Sequence, residues 1–147
     1  MSGVICAVRG GPHSQPTIEC AINLAQEHHC PLYFLYVVNI EFLARTIISR
    51  ANLISKEMRH MGEFILLTAQ AMAEKHGIQA SSIVREGDVS EEMIALCHET
   101  GADYVVVGRP HVRTEENVFT HEALQKFSDR IKAETGASVV YPEAGIP

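Results

Sequence analysis

Val84-Arg85-Glu86-Gly87-Asp88-Val89 and, one helical stretch later, Gly101-Ala102-Asp103-Tyr104-Val105-Val106-Val107-Gly108 are the segments on which the fold is read. The second is a run of apolar strand formers between two glycines. It has no polar face, so it predicts a strand over 102–107 covered on both sides and placed in the centre of a sheet. In the first segment Glu86-Gly87-Asp88 makes a turn, and Asp88 with Glu91 has the spacing of a capping box. The helix that follows turns Val89, Met93, Ile94, Leu96 and Cys97 inward and stops at Gly101. Strand, helix and strand in this order make one crossover unit of a parallel sheet.

Outward from this unit the same alternation recurs. Val4-Ile5-Cys6-Ala7-Val8 is too short for a helix and ends at the turn formers Arg9-Gly10-Gly11-Pro12, which predicts a buried first strand. Ser14 is placed to cap the next helix, Pro16 suits its first turn, and Ile18, Ala21, Ile22 and Ala25 repeat at helical spacing to about His29. Residues 32–38 are apolar throughout and rich in aromatic and β-branched side chains, as an interior parallel strand requires. Residues 39–54 are mixed and read as a partly helical connection. From Ser55 a long helix is predicted with Met58, Met61, Ile65, Ala69, Met72 and Ala73 on its inner face, ended by Gly77. Residues 78–85 alternate loosely, like a strand near the sheet edge. Residues 109–116 form a polar loop, Leu124, Phe127 and Ile131 mark a last helix, and residues 137–141 a last strand. Five strands alternating with about four helices imply an α/β fold, a doubly wound parallel sheet with helices on both faces.

With 147 residues, 46% hydrophobic and 20% charged, one folded domain over 1–147 is expected. The net charge of -6 excludes a broad basic face, and with it nucleic acid or an anionic membrane surface as partners. The longest apolar runs fall far short of the roughly 20 residues that span a bilayer. Because an apolar strand starts directly after Met1-Ser2-Gly3, no leader is expected and the chain should be cytoplasmic. Cys6, Cys20, Cys30 and Cys97 have no metal-ligand spacing, and Cys6 and Cys97 sit among apolar residues as core side chains do.

The quoted segments resemble universal stress proteins, in which the third strand ends in a Gly-Asp turn and the fourth reads Ala-Asp-hydrophobic-Val-hydrophobic-Gly. The residues around Val4 to Ser14, Cys30 to Val38 and the helix before Gly77 fit the same pattern, from about residue 3 to 141. The resemblance implies the strand order 3-2-1-4-5 of an adenine nucleotide alpha hydrolase-like fold, a role in stress response, and homodimers that pair through the last strand. Ser138, Val139 and Val140 would form that edge, since an unpaired strand invites pairing.

Many members of that family hold ATP in a loop of Gly, two residues, Gly, nine residues, Gly and a hydroxyl residue, because glycines let backbone amides approach phosphates closely. Here only Gly108 matches; His111, His121 and Glu122 stand at the later positions, and there is no glycine from Arg109 through Thr135. Glu115-Glu116 adds negative charge along the same path. The first strand ends in Arg9 where nucleotide-binding members have Asp. Tight ATP binding is therefore not expected and no cofactor is assigned. A candidate crevice for a small anionic ligand remains at the carboxyl ends of strands one and four, formed by Arg9, Gly10, Val38, Gly108, Arg109 and His111, with Arg113 nearby.

Other groups point less clearly to chemistry. His28-His29 beside Cys30 suggests a metal, but adjacent helical residues diverge, and histidines at a helix end favour the negative dipole. His111 and His121 with Glu115 and Glu122 form a second such candidate on a polar loop. Glu115-Glu116 lacks a nucleophile for acid-base work. Arg9-Gly10-Gly11-Pro12-His13-Ser14 resembles the Ser-Gly-Gly-x-Asp-Ser loop of ATP pyrophosphatases, with Ser and Asp replaced by Arg and His. The expectation is a binding or signalling module and not an enzyme. A nucleotide-binding member with a non-standard loop, a regulatory domain docking on a transporter, and a pyrophosphatase-like enzyme are the alternatives.

Overall fold

The computed structural model describes residues 3–9, 14–39, 48–108 and 121–142. In chain order these contain β1 (Val4–Ala7), α1 (Gln15–His28), β2 (Leu32–Asn39), α2 (Ile48–Lys75), β3 (Ala80–Gly87), α3 (Val89–Thr100), β4 (Tyr104–Val106), α4 (His121–Thr135) and β5 (Ser138–Val140). The strands form one parallel sheet in the order β3-β2-β1-β4-β5. β4 lies inside the sheet, but β1 and not β4 is its middle strand. An apolar run shows that both faces are covered, which any interior position satisfies.

Side-chain alternation divides the core in two. Val4, Cys6 and Val8 point with Phe34, Tyr36 and Val38 toward Ile18, Ala21, Ile22 and Ala25 of α1 and Leu66, Ala69 and Ala73 of α2. Ile5, Leu35 and Val105 point the other way, toward Met93, Leu96 and Cys97 of α3 and Ile131 of α4. Among the described residues, two helices thus cover each face.

The helix ends follow local chemistry. Asp88 caps α3, its Oδ1 accepting the Glu91 N–H at 3.0 Å, and Gly101 closes the helix at φ 70°. Ser14 occupies the N-cap position of α1 in helical geometry, and its side chain makes no capping bond. The expected cap fails because capping requires an extended backbone at that residue. His29 terminates α1 in the left-handed region at φ 50°.

Two boundaries and one helix face differ from expectation. The long helix is already present at Ile48 and takes in the second part of the mixed stretch. β3 runs through Glu86 and Gly87, which pair with Val38 and Asn39 in place of forming a turn. Within α2, Met61 is exposed and the inner face is set by Gly62, Leu66, Ala69 and Ala73, with Met58, Ile65 and Met72 half-buried. The helix lies so close to the sheet that a Cβ on Gly62 would sit 2.3 Å from the Tyr36 ring. No described helix is long and apolar enough to cross a membrane.

Candidate functional site

In a parallel sheet all strands end on one edge, and the crevice expected there is built from the ends of β1 and β4 and the first turn of α1. Val8 continues β1 by donating its N–H to the Leu35 carbonyl at 2.9 Å, and Arg9 emerges beyond it, exposed. Val107 continues β4, its N–H bonded to the Val140 carbonyl at 3.1 Å, and Gly108 follows, also exposed. Between them the buried Thr17 of α1 faces Gly108, where a Cβ would lie 2.9 Å from Thr17 Oγ1. Gly108 therefore has a packing reason of its own, because a side chain there would collide with α1.

Of the predicted crevice residues, Arg9 and Gly108 come to the same edge of the sheet. Val38 reaches that edge at the end of β2, but its side chain is fully buried in the core under α1 and α2, so it supports the crevice from beneath. Gly10, Arg109 and His111, with Arg113, Glu115 and Glu116, lie outside the described residues.

Electrostatics at this edge are partly settled by local pairs. Glu86, at the end of β3, accepts from Arg59 Nε at 3.0 Å and from Ser55 Oγ at 2.8 Å, so its charge is compensated by α2. Cys6 lies beneath the first turn of α1, its Sγ 3.9 Å from the Thr17 carbonyl oxygen. Burial, reinforced by the neighbouring Cys20, pushes its thiol far above the usual range, so it supplies no thiolate.

The histidine and cysteine candidates resolve differently. The ring of His28 packs against that of Tyr104 with centroids 5.0 Å apart and planes tilted by 32°, while His29 forms the left-handed helix end. Cys30 has its thiol pushed up by burial and by Asp103. Among the described residues no three His, Cys, Asp or Glu groups converge as metal ligands. His121 and Glu122 lie on α4, but their side chains fall outside the described residues, as does all of Glu115.

One feature escaped the sequence reading. A shallow groove of about 390 Å³ runs between α1 and the end of β5, floored by Cys20, Leu24 and Val140 and rimmed by Glu19 and Glu27. Its acidic rim repels anions. The apolar positions of α1 gave no signal for it, since Cys20 and Leu24 flank the stripe that packs on the sheet.

The sheet order, the covered faces and the glycine at the end of β4 narrow the comparison with known proteins. The sequence profile described as the universal stress protein family matches residues 1–129. Universal stress protein MJ0531 of Methanocaldococcus jannaschii is 26% identical over 106 residues, a match covering 71% of this chain and 62% of that protein. The chain thus spans under two thirds of that relative. The structure of universal stress protein UspA from Lactobacillus plantarum superimposes with a TM-score of 0.75 at 13% identity, covering 97% of each chain. A universal stress protein from Archaeoglobus fulgidus in complex with dAMP superimposes at 0.62 with 14% identity, covering 96% of this chain and 97% of that one. Family profile, curated relative and shared topology agree, and this chain belongs to the universal stress protein family.

Proposed function

We propose that this chain is a binding or signalling module of the stress response that performs no catalysis and does not hold ATP tightly. The observation that carries this reading is the segment after β4, which has no glycine from Arg109 through Thr135 and so cannot bring bare backbone amides around a triphosphate. The one glycine kept, Gly108, is accounted for by its contact with Thr17. Arg9 presents a cation at the end of β1, which suits a small anionic ligand, with Arg109 and His111 contributing from the segment that follows. The protein works in the cytoplasm as a homodimer paired along β5, whose outer edge has no neighbour among the described strands.

A second reading, a nucleotide-binding member with a non-standard loop, is favoured by the Archaeoglobus fulgidus complex with dAMP, which shares the fold. Isothermal titration of the full chain with ATP and magnesium separates the two. The expected result is no heat of binding at micromolar nucleotide; a micromolar dissociation constant overturns the proposal in favour of the second reading. Arg9→Ala should then abolish whatever binding inorganic phosphate or another small anion shows.

A further inference from the structure

The helix α2 carries more apolar surface than the sheet can cover. Leu53 is 60% exposed, Met61 58%, Phe64 71% and Leu67 63%, and these are the exposed large hydrophobic residues among those described. At 100° per residue, Leu53, Met61, Phe64 and Leu67 fall within one arc about 120° wide, centred close to Phe64 and turned away from Leu66, Ala69 and Ala73. Together they place large apolar side chains along one face of the helix, with the exposed Glu57 and His60 among them, on an arc that the sheet leaves uncovered.

The charges beside and within this face specify the occupant. Lys56 and Glu74 lie about five helical turns apart and so flank the patch on the same side; Glu57 and Lys75 have the same separation and share a line through its middle. The midpoint of each pair falls next to the same place, between Ile65 and Leu66. When two copies of this helix run antiparallel about a two-fold axis through that point, residues on one flank meet residues on the same flank of the other copy. Lys56 then faces the partner's Glu74, Glu57 faces the partner's Lys75, and Phe64 lies against the partner's Leu67. Each contact occurs twice.

We propose that the outward face of α2 is a docking surface for the same face of a second copy of this chain, antiparallel and centred between Ile65 and Leu66. It is separate from the edge of β5 and does not depend on pairing there.

Sedimentation velocity of the full chain across a wide concentration range, with circular dichroism to verify folding, tests the surface. Phe64→Glu is expected to halve the mass of the assembly, from two copies to one if α2 acts alone and from four to two if β5 also pairs. Lys56→Glu and Glu74→Lys should each weaken association roughly tenfold by placing like charges together, and the two combined should restore it. A monomeric wild type, a mass unchanged by Phe64→Glu, or a double reversal no stronger than either single change overturns the proposal.

Discussion

At the scale of single residues, two glycines are held in place by what they touch. Glycine inside a helix costs about 1 kcal/mol relative to alanine, so Gly62 in the middle of α2 needs a compensating contact. The Tyr36 ring supplies it, lying where a Cβ would be, and Tyr36 is buried on an interior strand with little room to retreat. Gly62→Ala should therefore destabilise the protein by about 1–3 kcal/mol despite the better helix propensity, as read from the urea midpoint. Among the described residues Gly108→Ala meets only the Thr17 hydroxyl, so its smaller penalty should largely disappear in combination with Thr17→Ala; additivity of the two changes would contradict the contact. The cysteines allow a kinetic check. Burial raises the thiols of Cys6 and Cys97, and both should resist alkylation at mildly alkaline pH until the chain unfolds, whereas the half-buried Cys20 and Cys30 should react in the native state, though slowly for free thiols.

At the scale of elements, β3 sits at the edge of the sheet and is tied to α3 by charge as well as packing. Arg85 donates to both carboxylate oxygens of Glu99 at 2.8 and 2.7 Å and lies 3.8 Å from Glu92. The hydrogen bond from Arg85, helped by its charge, holds the Glu99 carboxyl below its ordinary 4.5. A carboxylate whose folded value is depressed stabilises the fold above the unfolded value and loses that contribution as pH falls through the folded one. The difference in urea midpoint between wild type and Glu99→Gln should therefore be present at neutral pH and shrink to nothing on acidification below about 4.5. A difference that persists in acid would mean that Glu99 acts through packing. The boundaries of β3 show why elements were legible in type but not in extent. Glycine at 87 reads as a turn, yet pairing with β2 continues through it, because the ladder to Asn39 outweighs a local preference.

At the scale of the whole molecule, the order of strands and the division of the core into two faces put Arg9 and Gly108 on one edge, with Thr17 beneath them. A dimer along β5 predicts that light scattering on wild type reports at least two copies over a wide concentration range, and that Phe64→Glu on α2 leaves a dimer. Much of this could be read without coordinates. Apolar runs at 4–8, 32–38 and, after Asp103, 104–107 declare interior parallel strands, and Asp88 and Gly101 mark the ends of a helix, because these depend on residues close together in the chain. The missing glycines after Gly108 are likewise a property of sequence alone. What periodicity could not decide was which arc of a helix with apolar residues on two faces would be buried: Met61 reads like core and is exposed, while its neighbour Gly62 is pressed on Tyr36. The choice between Leu66 and Leu67, or between Ile65 and Phe64, is made by the angle at which α2 settles on the sheet, and that angle follows from residues distant in sequence packing together.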